Sequence, residues 1–150
     1  MSASEFYKFL HLLSAMVWVG GSVMTQVFGA RIGRSGDQAQ TLTFAKGAAT
    51  ATRVLSVAGL STAVWGILLV ADVELFEFEQ TWIVLGFGGV LVGALLGAMF
   101  FGPQIRKLIG QLESGDDSAD ETIKRIILVS ALELVVLVVV VWAMVVKPGL

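Results

Sequence analysis

The chain has 150 residues, of which 56% are hydrophobic and 15% charged, and its net charge is −2. A water-soluble domain carries about 25% charged residues, so a soluble globule does not fit, and the near-neutral charge gives no electrostatic basis for nucleic acid as a partner. The lack of cysteine excludes disulfides, thiolate metal sites and cysteine nucleophiles.

The charge is distributed in blocks. Met1-Ser-Ala-Ser-Glu5 lacks the basic leader of a signal peptide, so the first apolar stretch, about Phe6 to Ala30, is expected to persist as a helix. Crossing the hydrocarbon core takes roughly 20 helical residues. Three further stretches meet that length, at about 48–71, 81–101 and 123–146. Gly102-Pro103 and Lys147-Pro148-Gly149 are expected to stop the third and fourth, because proline cannot continue the helix ladder. The valine run Val135–Val141 favours strand in water, but a lone strand in lipid leaves its backbone groups unpaired. The stretches also lack the alternation of barrel strands. The expected architecture is therefore all-α, with residues 1–150 forming a single up-down bundle of four transmembrane helices.

The connections differ in charge. Arg31–Lys46 is polar and basic and is expected to hold at most a short amphipathic turn. Asp72–Gln80 carries Asp72, Glu74, Glu77 and Glu79 and no base. Arg106–Glu121 is mixed, with a break at 114–118 and Ser118 or Asp120 as a cap for the fourth helix. Lysine and arginine concentrate in the first and third connections, which places these in the cytoplasm and both termini on the extracytoplasmic side.

The third helix carries Gly86, Gly89, Gly93 and Gly97, and the last three share one face. Glycine lets another backbone approach closely. These residues are expected to pack inside the bundle, against Gly20 and Gly21 or against Gly59 and Gly66, or else against a second copy of the chain. Arg53 and Glu133 are the charges deepest in the apolar stretches. A charge at the bilayer centre costs about 2.5–3.5 kcal/mol, and the two lie at comparable depth. A buried ion pair is expected, or a polar cluster shared with Ser56 or Ser130, serving helix register or else a proton path or counter-ion site.

His11 is the only histidine. Imidazole can hydrogen-bond, ligate haem iron or copper, or relay a proton. One histidine cannot form a bis-histidine haem site within one chain, so a second ligand would be a methionine, with Met144 at comparable depth, another donor, or His11 of a second copy. Trp18, Trp65 and Trp142 fill helix contacts or wall a porphyrin, with Trp18 the candidate nearest His11 in sequence. Trp82 and Tyr7 fit an interfacial belt. No phosphate-binding loop, HExxH or nucleophile elbow is present, so no catalytic residue is assigned.

Lys8-Phe-Leu-His11 followed by Trp18-Val-Gly20-Gly21 resembles the opening of a group of bacterial membrane proteins. The group includes the copper-resistance protein D and membrane-embedded protoporphyrinogen oxidase families. The chain most resembles a third member, the integral membrane family known as domain of unknown function 2269, whose ending is similar to Ala143-Met144-Val145-Val146-Lys147-Pro148 here. The resemblance implies a bacterial cytoplasmic membrane, and a haem or copper role carried by His11. It departs from the oxidase pattern in one respect: that family has an essential lysine in a later helix, and no lysine or arginine lies between Thr81 and Phe101 here. Two other roles stay open, an accessory subunit of a larger membrane complex or homodimer held through glycine faces, and a small transporter using Arg53 and Glu133.

Overall fold

The computed structural model describes residues 2–149. Helix α1 spans Ala3–Gly33 and starts on a capping box, in which Ser2 Oγ accepts from Glu5 N (3.2 Å) and Glu5 Oε2 accepts from Ser2 N (2.8 Å). Helix α2 spans Gln38–Asp72, with Asp37 Oδ1 accepting from Gln40 N at 2.9 Å. It begins ten residues before the apolar stretch, so the first connection is a tight turn and not a polar loop with a short amphipathic turn. Gly36, at φ 73°, supplies the left-handed conformation that turn requires.

The third span continues past its predicted stop. Helix α3 (Thr81–Leu95) runs into a π-helical segment (Leu96–Phe101) and then into α4 (Gly102–Ser114). Proline breaks a helix by removing one donor and by crowding the carbonyl four residues back. A π turn relieves both, because it shifts the bonding pattern to i→i+5. Here the Gly102 N–H bonds Gly97 O, and Pro103 falls in the first turn of α4, where its missing donor is harmless. The span ends at Gly115, in the left-handed region at φ 69°.

Helix α5 spans Ala119–Val146 and stops at Lys147, as the sequence implied. Ser118 occupies the position before α5, yet its hydroxyl does not cap the helix; it accepts from Gln111 Nε2. Asp120 lies inside the first turn, where its charge suits the helix dipole.

The four spans make an up-down bundle, and no strand is present among the described residues. α1 packs on α2 and α5, and the α3–α4 span packs on the same two helices. α2 and α5 therefore occupy opposite corners, as do α1 and α3. All four spans are long and apolar enough to cross a membrane. Their outward side chains include Phe9, Met16, Val57, Leu91, Leu132 and Val145, the last 77% exposed. An apolar surface on every side of a bundle belongs in lipid.

The interior is packed in three layers. Ala45, Leu108, Leu112 and Ala119 form one at the basic end. Trp18, Ala58 and Leu137 form the middle one. Val70, Trp82, Ile83 and Ala143 form the third, at the acidic end. Trp82 is 6% exposed, so it is a core residue and not part of an interfacial belt. It meets Phe76 edge-on at 5.0 Å, and Lys147 Nζ lies over both rings.

Candidate ligand cleft and its neighbouring cavity

Several hydroxyls in the spans are satisfied by their own helix. Thr52, Ser56, Thr62 and Ser130 each donate to a carbonyl three or four residues back. Such bonds cost little and ask for no partner across the bundle. The larger polar side chains of the site are His11, Gln26, Arg53 and Glu133.

Two cavities lie between the three packed layers. The larger, about 650 Å³, sits between the middle and basic layers. Its walls are mainly apolar, and its polar members include Ser22, Gln26, Arg53, Arg106 and Glu133. Glu133 is buried, 8% exposed, and its only hydrogen-bond partner among the described residues is Gln26, whose Nε2 donates to Oε2 at a long 3.4 Å. A carboxylate has room for several donors, so most of its capacity is open toward the cavity.

The expected Arg53–Glu133 ion pair is absent. Among the described residues the one ion pair joins Lys46 to Glu113 at 2.7 Å, on the surface. The reason is azimuth, not depth: Arg53 is on α2 and Glu133 on α5, at opposite corners of the bundle. Arg53 is exposed. Both residues nevertheless face the same cavity, as do Ser56 and Ser130, whose hydroxyls stay on their own helices.

The smaller cavity, about 370 Å³, lies between the middle and acidic layers and is lined by His11, Thr62, Met144 and apolar side chains. The His11 ring packs on Gly66 of α2, where an added Cβ would stand 3.2 Å from Nδ1. The bare glycine lets the ring reach Thr62 O, 2.8 Å away. A carbonyl only accepts, so Nδ1 carries a proton and donates to it. Met144 lies with its methyl against Gly86.

Trp18 borders both cavities and separates them. It is 6% exposed and is held between two glycines: a Cβ at Gly59 would stand 3.3 Å from its Cε2, and one at Gly93 would stand 2.6 Å from its Cζ2. The glycines of α3 thus receive side chains from within the bundle, with Gly89 against Val140 and Gly97 against Ser56. Gly21 receives Leu55 of α2. Gly20 was expected to pack as well, but nothing lies within 4 Å of its Cβ position, because it faces outward. Gln26 was not singled out from sequence; a lone glutamine inside an apolar span was the available signal.

This layered, lipid-facing bundle defines the chain as a multi-pass integral membrane protein with four apolar spans. Its sequence matches, over residues 5–148, the model of a family described as predicted integral membrane protein (DUF2269). The chain belongs to that family. No curated protein matches it, and no solved structure does.

Proposed function

We propose that this protein binds an amphipathic molecule drawn from the bilayer, seated in the larger cleft and offering a hydrogen-bond donor to Glu133. The observation that carries this reading is Glu133 itself, buried beside about 650 Å³ of space with one weak partner. Ionisable groups inside membrane spans are costly and serve sites. Ligand pockets are mostly apolar, with a few convergent polar groups, at about 300–1,000 Å³. Both descriptions fit.

The test uses Trp18 as a reporter, since it walls the cleft yet is shielded from the bundle's outer surface. A variant with Trp65, Trp82 and Trp142 replaced by Phe is reconstituted in bilayers of lipids brominated on the acyl chain. Entry of a chain into the cleft quenches Trp18, and Ala94→Phe, which fills the cleft from α3, protects it. A Trp18 as dim or as bright with and without Ala94→Phe defeats the reading.

A second reading rests on His11. Its Nδ1–H is fixed on a backbone carbonyl, which is how protein carbonyls orient metal-binding histidines, and Met144 lines the same cavity. An imidazole and a thioether are donors that would hold haem iron or copper(I). No cluster of three His, Cys, Asp or Glu exists among the described residues to build a larger metal site. When bound, either group would supply redox chemistry, with His11 and Met144 holding it. The likeness of the first helix to the copper-resistance and oxidase families supports this reading, and the missing third-helix lysine counts against the oxidase reaction. Protein from a host supplied with haem and copper should show a Soret band or bound copper that His11→Ala removes; a colourless, metal-free preparation refutes it.

Eight of the ten lysines and arginines cluster at the end holding the Gly33–Gln38 and Ser114–Ala119 connections. The positive-inside rule assigns that end to the cytoplasm of a bacterial inner membrane and both termini to the outside. The glycines that pack internally leave fewer small residues for a homodimer or a larger complex, which weakens the accessory-subunit reading.

A further inference from the structure

We propose that the ligand of the larger cleft is a membrane lipid with an anionic headgroup, held at its phosphate by Arg53 and Arg106 with an acyl chain lying in the cleft. The inference rests on the cleft being a binding site and names its occupant.

Three observations converge. First, Arg53 lies within an apolar span, is exposed, and has no ion-pair partner among the described residues. A guanidinium at that depth costs free energy unless it reaches a counter-ion. Its long side chain can bend toward the headgroup layer while its methylenes stay in hydrocarbon. Second, Arg106 is also exposed and also borders the cleft. It stands on α4, and α4 packs against α2, the helix that carries Arg53. Two arginines on adjoining helices therefore line the same cleft, and this planar donor suits phosphate oxygens better than an ammonium does. Third, the remaining wall offers an apolar lining for a chain, with Phe44, Leu60, Val90 and Phe101 among its members.

The acidic group of the cleft does not oppose this assignment. Glu133 belongs to α5, diagonal to α2, and more than 4 Å separates it from Arg53. The phosphate would sit on the α2–α4 side, and the carboxylate remains free to accept from a headgroup hydroxyl on the far side. The π segment contributes to the opening. It carries Gly97, which faces Ser56 of α2, so two small groups meet at that point of the seam. A free phosphate would gain nothing from that seam or from the apolar walls; a phospholipid uses both.

The sole-Trp18 variant decides the matter when placed in bilayers in which a tenth of the lipid is brominated. In one series that tenth is phosphatidylglycerol, in the other phosphatidylcholine. Enrichment of anionic lipid in the cleft makes the first series quench Trp18 more strongly, and Arg53→Gln with Arg106→Gln removes the difference. Equal quenching in the two series overturns the anionic assignment and leaves the cleft as a lipid site. No quenching in either overturns both. Native mass spectrometry of the chain with all four tryptophans, released from an equimolar mixture of the two lipids, gives a second readout. Retention of phosphatidylglycerol over phosphatidylcholine by about tenfold is expected, since tenfold is about 1.4 kcal/mol and one charge-assisted bond supplies that much. Equal retention, or the same preference in the double variant, refutes the proposal.

Discussion

Alanine at Gly93 gives the sharpest test of the packing, because two effects of opposite sign compete there. In a helix interior, alanine is favoured over glycine by about 1 kcal/mol, so an unobstructed Gly93→Ala would stabilise. In this bundle the new methyl would stand 2.6 Å from Trp18 Cζ2 and 3.4 Å from Cη2. Carbon atoms rest about 3.5–4.0 Å apart, so the indole must retreat by roughly 1 Å. The ring also packs on Gly59 of α2, where an added Cβ would stand 3.3 Å from Cε2. Overpacking of this kind costs about 1–3 kcal/mol, and the net expectation is a destabilisation of about 1–2 kcal/mol. Trp18→Phe removes the atoms that clash. In that background Gly93→Ala should become neutral or stabilising, giving a coupling of about 1–3 kcal/mol in a double-mutant cycle. Unfolding by sodium dodecyl sulfate in bicelles, followed by circular dichroism, measures all four chains. A stabilising Gly93→Ala in the Trp18 background, or no coupling, would show that the two residues do not press on each other.

The same addition at Gly86 should cost less, within about 0.5 kcal/mol in the same assay, because the neighbour there is the flexible methyl end of Met144. Breaking a buried ion pair costs about 3–5 kcal/mol, so Arg53→Gln and Glu133→Gln should each cost far less than that, and their effects should add within about 0.5 kcal/mol; a large coupling would restore the ion pair. Asp116 is held below its ordinary pKa of 3.8 by the Ser118 backbone N–H, with its hydroxyl and Lys107 assisting. A lowered carboxyl stabilises the fold above its unfolded value and loses that contribution as pH falls through the folded one. Wild-type protein should therefore lose more stability between pH 5 and pH 3 than Asp116→Asn, and equal losses would contradict the assignment.

The spans themselves were legible because a 20-residue apolar run has few alternatives in lipid. Their ends were not. Gln38–Gly47 and α4 are helical but polar on one face, held by contacts that only the folded end supplies, such as Gln38 Nε2 to Leu112 O at 2.9 Å. Pro103 was read as a stop because the usual rule assumes an α turn before it, and a π segment suspends that rule. For the candidate site, depth along each helix follows from residue number, and Glu133 and Arg53 line the same cavity. The angle around each helix depends on packing, and it is the angle that separates them. Gln26 faces Glu133 for the same reason that Arg53 does not: α1 adjoins α5 and α2 does not.

One consequence of the layered core bears on function. A single connected cavity would let the two polar ends of the bundle communicate, and His11, Gln26, Arg53 and Glu133 could act together. Trp18 and Val90 stand between the two cavities, with His11 on one side and Gln26, Arg53 and Glu133 on the other. Trp18 is the wider part of the barrier, beside Val90, and it packs on Gly59 and Gly93, which leave it their side-chain volume. Smaller residues at position 18 would join the cavities, and larger ones at 59 or 93 would expel the ring. The chemistry of the acidic half can therefore differ from that of the basic half, and a ligand on one side need not report a ligand on the other. A cofactor at His11 and a lipid at the arginines are compatible for that reason.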